Sequence, residues 1–428
     1  RALIYLGYKV KRVMNFTDVG HMTHDEDFGD DKIDTEASKE GLEPIDIANK
    51  YIDTIVEDFR ALNILAPNGV VIPQDLDFHD VEKYGWMRAT NYVDEMIELI
   101  KKMEANGYTY ETNQAIYFDV TKVPDYTIFT GQKLEDKTVG DREEVGVDPN
   151  KKHPADFVLW MKRTGKYATH IMHWDSPWGD GFPGWHIECS AMGVKALGQH
   201  FDIHTGGIDH ISIHHPNERA QNIGAFGQPV VNYWIHNEWL VTKDDVKLSK
   251  SCGNADTLPE ALAQGFDPLD IRYLFMSVNY RTKLQFSTEA LEGARNARLN
   301  LNKKVQELGT RSGHLIPRYI GRFKNALENN LNMSEVLAII NEMLKTNENK
   351  ADILATILDF DRVLGLKLDN IEDEKVEITD SQIEQYAQER DRARIEKRYE
   401  DADKYRSLIE EAGYKVIDTP GGTKYAKH

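Results

Sequence analysis

Three short runs near the middle of the chain restrict its fold more than any others: Gly184-Trp185-His186-Ile187-Glu188-Cys189-Ser190, Gly206-Gly207-Ile208-Asp209 and His214-His215-Pro216-Asn217-Glu218. They set soft and hard metal donors on either side of a glycine-rich turn. His214 and Glu218 stand four apart, so on a helix their side chains lie one turn above each other and can close on one metal with the Cys189 thiolate. A His-x-x-x-Glu pair equally suits a solvated polar helix face, and a single cysteine equally serves as a small core hydrophobe. On the first reading, a zinc ion beside a nucleotide is the candidate ligand, and the fold must bring the three runs together.

The 428 residues, 40% of them hydrophobic, exceed one ordinary core and predict two to four domains. A net charge of −19 argues against a chain that coats nucleic acid or anionic membrane by bulk charge, so any nucleic-acid contact must be local. No apolar run approaches the roughly 18 residues of a membrane span, and no secretory signal pattern is present; a cytoplasmic protein that does not engage membranes is expected. Cys189 and Cys252 are the only cysteines, too few for a disulfide framework. The chain opens at Arg1 without an initiator Met, and Arg1 to Leu6 read as the last turns of a helix stopped by Gly7. A preceding segment is therefore expected.

Tyr8 to Asn15 read as a strand, and Thr17 to Gly41, with His21, His24 and Gly29-Asp30-Asp31, as an acidic loop. Pro44 begins an amphipathic helix with Ala48, Tyr51, Ile52, Ile55, Phe59 and Leu62 on one face. A second, with Val93, Met96, Ile97, Ile100 and Met103, stops at Asn106-Gly107, and Tyr108 to Tyr110 with Ile116 to Val120 predict a hairpin. Pro124 to Gly165 suits a surface insertion, and His200 to Ile203 and Val230 to Ile235 read as buried strands with site residues at their ends. Beyond Thr257 the pattern is helical to Leu368, Asp369 to Glu377 reads as a linker, and Asp380 to His428 predicts a helix pair and a Pro420-Gly421-Gly422 turn. Alternating strands and helices favour an α/β parallel-sheet domain with an inserted lobe over an all-α bundle.

Lys247-Leu248-Ser249-Lys250-Ser251, followed by Gly253-Asn254, sets two lysines and two hydroxyls in five residues. Such a loop can hold triphosphate oxygens and neutralise charge on departing pyrophosphate; a solvated basic loop is the plain alternative. At Gly206-Gly207 the missing side chains would let backbone approach a ribose, with Asp209 accepting from a hydroxyl or an ammonium.

Together these residues resemble the class I aminoacyl-tRNA synthetases and, within them, the cysteinyl-tRNA synthetase family. Asn15-Phe16-Thr17-Asp18, Tyr117-Phe118-Asp119-Val120, Pro154-Ala155-Asp156-Phe157, Ser176-Pro177-Trp178-Gly179, Trp185 to Met192, Phe201-Asp202-Ile203-His204, Trp234-Ile235-His236-Asn237 and Lys247 to Ser251 fall in the family's order. So do Asp267-Pro268 and Tyr280-Arg281 in the stem-contact region, and Glu389-Arg390-Asp391-Arg392-Ala393-Arg394 with Ala402-Asp403 in the C-terminal domain.

The resemblance implies a Rossmann-type catalytic domain over 1–255 with an insertion at about 108–175, a stem-contact and helical-bundle tRNA-binding domain over 256–370, and an anticodon-recognition domain over 380–428. It implies ATP-dependent activation of L-cysteine, with Mg2+, and transfer to tRNA(Cys) by a monomer. It maps one zinc onto Cys189, His214 and Glu218. The phosphate loop maps onto Lys247, Ser249, Lys250 and Ser251; Gly206, Gly207, Asp209 and His236 fall beside ATP. Trp185, Thr17, Asp209 and His204 fall beside cysteine, and Arg390, Arg392, Arg394, Lys397 and Arg398 beside tRNA. Zinc suits a cysteine enzyme, because a hydrophobic pocket separates near-isosteres such as cysteine and serine by only ~10²-fold.

The family's fourth zinc ligand and its HIGH-type ATP loop would lie upstream of Arg1, so partial zinc occupancy and little activity are expected of this chain alone. Two other readings remain: the related mycothiol-pathway cysteine ligase, which is not expected to carry the C-terminal domain, and a catalytically deficient tRNA-binding paralogue. The basic C-terminal cluster is alternatively a salt-bridge-laced helix, since Glu396, Glu400, Asp401 and Asp403 are interspersed.

Overall fold

The computed structural model describes residues 1–19, 32–132, 134, 148–248, 258–309, 313–371, 380–411, 413–419 and 422–427. The Gly29-Asp30-Asp31 turn, His21, His24, Ser249, Lys250, Ser251, Cys252, Gly253-Asn254 and residues 372–377 of the expected linker lie outside them. The chain forms two compact units, Arg1–Ala255 with Pro268–Leu368, and Asp256–Asp267 with Asp369–His428.

In the first unit, helix α1 (Ala2–Tyr5) ends before Gly7, which turns the chain at φ +94° as only glycine does without strain. Strand β1 is confined to Met14–Phe16. The expected strand from Tyr8 is shorter because pairing starts at Met14, whose N–H donates to the Gly85 carbonyl, while Arg12 reaches the Leu65 carbonyl through its side chain. Helices α2 (Lys32–Glu40) and α3 (Pro44–Ala61) follow, with Pro44 at the first turn of α3. α3 buries Ile47, Ala48, Ile52 and Val56, the last two in a cluster with Trp86, and Tyr51, expected on that face, is exposed. Strand β2 (Trp86–Arg88) runs parallel to β1, and α4 (Val93–Ala105) buries Val93, Met96, Ile97, Ile100 and Met103 as expected before Gly107 ends it.

The inserted lobe is an antiparallel sheet of β3 (Thr109–Glu111), β4 (Ala115–Phe118), β5 (Phe157–Lys162) and β6 (Gly181–Pro183), in that order. The predicted hairpin pairs Thr109 with Phe118. The chain then enters α5 (Trp185–Leu197), β7 (Phe201–Gly207), α6 (His214–Phe226) and β8 (Val231–Asn237), with β7 and β8 parallel. Both strands run further than expected and absorb the signature residues Gly206, Gly207 and His236. They are not buried on both faces: Ile203 and Tyr233 are exposed, the pair having no third strand among the described residues.

Short β9 (Leu240–Val241) lies before α7 (Leu258–Ala263), which belongs to the second unit. The first unit resumes with α8 (Pro268–Ser277), β10 (Leu284–Gln285), which pairs with β9, and the helices α9 (Thr288–Gln306), α10 (Pro317–Glu328), α11 (Met333–Met343) and α12 (Lys350–Leu364). Side chains of Ser287, Asn332 and Asn349 cap α9, α11 and α12 by accepting from free N–H groups of their first turns. The second unit continues with α13 (Asp380–Ile395), α14 (Tyr399–Glu411) and an antiparallel hairpin of β11 (Tyr414–Thr419) and β12 (Gly422–Lys427), around Ile383, Ala387, Ile409, Tyr414 and Val416. The helix pair was expected; the hairpin was not. The molecule is thus a Rossmann-type α/β protein with an inserted lobe, a helical bundle and a small C-terminal domain.

Candidate active site and metal centre

Two helix starts and two strand ends converge here. α5 begins at Trp185 because Gly184 lets the chain pass over β5: a Cβ there would lie 2.2 Å from the Val158 carbonyl oxygen. The turn that follows carries Trp185, His186, Glu188 and Cys189 inward. α6 begins at His214 and points His214 and Glu218 to one side, and His214 Nε2 lies 3.0 Å from Glu218 Oε1.

Ligand atoms of Cys189, His214 and Glu218 all lie within 4.8 Å of one another, and those of His204, His215 and Glu218 do so as well. Zinc bonds of 2.0–2.3 Å put tetrahedral ligand atoms roughly 3.5 Å apart, so the first triad, with sulfur, nitrogen and oxygen donors, fits the ion with a small contraction. Two of the three imidazoles, His214 and His215, are braced at their other nitrogen. His214 Nδ1 lies 2.9 Å from His186 Nδ1, and His215 Nδ1 lies 2.7 Å from His236 Nε2. Bracing of this kind fixes tautomer and ring orientation in metal sites.

The electrostatics follow from burial. Burial alone would raise the Glu218 carboxyl, but His204 and His214 outweigh it and hold the acid well below its usual range. Burial likewise opposes charge on His204, and Glu218, 3.0 Å away, overcomes it and raises that imidazole. At His215 burial wins: Glu218 works against it, but burial, reinforced by the neighbouring His204, His214 and His210, pushes this imidazole down to about 2. Burial, with Glu218 and Glu188 nearby, pushes the Cys189 thiol well up in the metal-free protein. Glu188 is raised well above its ordinary value by burial, against which the Thr17 hydroxyl works.

Of the other residues singled out in the sequence, Trp185 lies over His214 with ring centroids 4.3 Å apart. Asp209 is paired with Lys247 at 3.0 Å, which holds its carboxyl below the usual range despite burial, and the same ammonium sits over the Trp239 ring. Gly206 and Gly207 do not leave open backbone for a ribose. A Cβ at Gly206 would lie 2.5 Å from His210 Nδ1 and 2.8 Å from the His215 ring, and one at Gly207 2.3 Å from Asp209 Oδ1. Their lack of side chains admits the histidine and aspartate rather than a ligand. Ser249, Lys250 and Ser251 lie outside the described residues.

The basic residues Arg390, Arg392, Arg394, Lys397 and Arg398 belong to the second unit. Arg390 is 4% exposed and donates to Thr423 Oγ1 at 2.6 Å, so it ties α13 to β12 instead of facing solvent. Helical spacing from Ile383 and Ala387 puts position 390 on the inner face. The other four are exposed; Arg392 pairs with Glu389, and Arg398 with Glu396 and Asp401.

Sequence reasoning missed His186, His210 and His215. A signal was present: seven of the chain's 15 histidines fall between 186 and 236, a density that solvated surfaces do not require.

Residues 1–296 match the model of the class I (C) tRNA synthetase catalytic domain. A cysteine-tRNA ligase of Treponema denticola is 38% identical, with 100% of this chain and 89% of the relative covered. One of Burkholderia lata is 37% identical over 99% of this chain and 86% of the relative. Among solved structures, Mycobacterium tuberculosis methionyl-tRNA synthetase in complex with methionyl-adenylate is similar at a TM-score of 0.51 and 16% identity, covering 86% of this chain and 84% of that one, a likeness of fold. With a catalytic-domain match over most of its length and relatives above 30% identity end to end, the chain belongs to the cysteinyl-tRNA synthetase family of class I aminoacyl-tRNA ligases.

Proposed function

We propose that this protein activates L-cysteine with ATP and Mg2+ to cysteinyl-adenylate and transfers the cysteine to tRNA(Cys), selecting the thiol with a zinc ion held by Cys189, His214 and Glu218. The observation that carries the reading is the sulfur, nitrogen and oxygen triad, with His214 and Glu218 buried and Cys189 partly so, and Trp185 against it. Bound zinc lowers a thiol's pKa and takes the thiolate, while a serine hydroxyl stays protonated and binds it poorly.

The chain's own residues do the rest. Trp185 and Thr17 wall the cysteine pocket, Asp209 accepts from the substrate ammonium, and His204 keeps Glu218 ionised. His236 borders the nucleotide. Lys247 and Lys250, with Ser249 and Ser251, neutralise charge building on pyrophosphate. In this reading 1–255, with its insertion at about 108–175, carries activation, 256–370 contacts the tRNA stem and body, and 380–428 recognises the anticodon through Arg392, Arg394, Lys397 and Arg398. The presence of a folded C-terminal unit with an exposed basic surface favours the synthetase over the amino-sugar ligase. A cytoplasmic monomer fits the reading, and among the described residues no helix is long and apolar enough to cross a membrane.

Pyrophosphate exchange by the full-length protein, run with cysteine and with serine, tests the proposal alongside zinc analysis of Cys189→Ala. Cysteine-dependent exchange, with serine lower by well over ~10²-fold, is expected, and zinc should be lost from the variant. Equal exchange with both amino acids, or zinc coordination unaltered by Cys189→Ala, would overturn it.

A further inference from the structure

The segment from Pro124 to Gly131, which leaves the inserted lobe after β4, reaches α6, and its Tyr126 shares a buried cluster with residues of β4, β5 and α6. Two of its side chains grip α6 and a third meets β8. Asp125 accepts two hydrogen bonds from Arg219, from Nη1 to Oδ1 at 3.1 Å and from Nη2 to Oδ2 at 2.5 Å. Buried Tyr126 donates its hydroxyl to Asn217 Oδ1 at 2.5 Å. Phe129 meets Trp234 and His236 edge-on, with centroids 5.2 Å and 6.4 Å away, and His236 in turn braces His215.

Asn217 and Arg219 are the two chain neighbours of Glu218. On a helix they project roughly 100° to either side of it, so a strap that grips both fixes the rotation of α6 about its axis. That rotation sets where the Glu218 carboxylate sits. At a side-chain radius of roughly 5–6 Å, a turn of only about 10° displaces the carboxylate by about 1 Å. Metal–ligand distances tolerate about 0.2 Å.

We propose that Asp125, Tyr126 and Phe129 form a positioning strap that locks the azimuth of α6 and so sets the strength with which Glu218 and His214 hold the metal. The proposal rests on the zinc reading above and assigns to the inserted lobe a part in building that centre. None of the three touches the reacting atoms. They act through Asn217, Arg219 and His236.

The test uses the full-length protein, stripped of metal, as parent, Tyr126→Phe, Asp125→Asn and the double variant. Zinc affinity is read by competition with a chromophoric chelator, and geometry by the visible spectrum of the Co2+ form. Loss of supporting partners weakens metal sites by about 10–100-fold. That loss is expected in the double variant, with a smaller one in each single, and the Co2+ ligand-field bands should shift while the thiolate charge-transfer band of Cys189 persists. A merely structural contribution would lower the melting temperature but leave the affinity and bands of the folded protein unchanged. Zinc affinity within twofold of the parent and unshifted bands in a folded double variant would overturn the proposal. Should the double variant fail to fold, Tyr126→Phe, which keeps the ring in the core, decides by the same criteria. A parent that takes up no zinc overturns both this and the zinc reading, whereas zinc lost in Cys189→Ala but held normally by the strap variants overturns the strap alone.

Discussion

Replacing Asp18 should loosen the cysteine pocket from behind. Its carboxylate is 2% exposed and accepts three hydrogen bonds: from Arg88 Nε at 2.8 Å, from the Thr90 N–H at 2.9 Å and from Thr90 Oγ1 at 2.9 Å. Alanine removes both acceptor oxygens, and with them all three hydrogen bonds, and leaves a mostly buried guanidinium unpaired, which costs about 3–5 kcal/mol. Asparagine keeps an acceptor for the Thr90 N–H but loses the charge, and so should cost about 1–2 kcal/mol, the difference between charged and neutral hydrogen bonds. Hydrogen exchange resolved to peptides spanning β2 reads this locally, which matters in a two-unit chain where one global unfolding free energy is poorly defined. Since 1.4 kcal/mol is a factor of ten, the Thr90 amide should exchange about 10²- to 4 × 10³-fold faster in Asp18→Ala and about tenfold faster in Asp18→Asn. Adding Arg88→Met to Asp18→Ala should recover part of the loss, because no unpaired charge remains. Thr17, on the same turn, should then hold its hydroxyl less firmly towards Glu188, raising KM for cysteine. Parent-like exchange at Thr90 in both single variants would refute the argument that this buried pair anchors the turn.

Lys250→Ala should lower cysteine-dependent pyrophosphate exchange by roughly 10²–10³, the scale of one preorganised donor in a transition state; a parent-like rate would remove the loop from the mechanism. Deleting 380–428 should weaken tRNA binding and flatten its salt dependence while leaving adenylate formation intact, because each lost phosphate contact removes counterion release. Equal tRNA affinity in filter binding across a salt series would overturn the assigned contact and favour the amino-sugar ligase. In metal-free protein His215 stays neutral down to about pH 2, whereas its unfolded counterpart takes up a proton near pH 6.5. Its contribution to stability is therefore fully present above pH 6.5 and lost as pH falls below it, about 2 kcal/mol between pH 7 and 5. Thermal melts of parent and His215→Gln across that range should show the steeper acid loss in the parent, and parallel profiles would contradict it.

Much of the site was legible because its signals are local. The spacing of His214 and Glu218, the stop at Asn106-Gly107 and the hairpin from Thr109 depend only on helical period and turn chemistry over a few residues. Arg390 shows the limit of such reading. Counted as charge it joined a basic cluster, but its place three residues after Ala387 put it inside, where Thr423 takes its guanidinium. Gly206 and Gly207 show it again, since glycine marks a close approach without saying what approaches.

By itself the sequence determined most of the apolar faces of α3 and α4, where those helices start or stop, and which donors could share a metal, because each follows from periodicity and side-chain chemistry along one stretch of chain; it read the helix Lys32–Glu40 as part of an acidic loop. Only the tertiary structure decided that Asp125 would grip Arg219 from 94 positions away, that α7 would belong to the C-terminal unit, and that Glu218 would be shared between two candidate ligand sets, Cys189 with His214 and His204 with His215. Such partners meet because separate elements bury their apolar faces together, and the polar pairs then settle where that burial leaves them. No spacing in the chain records that meeting.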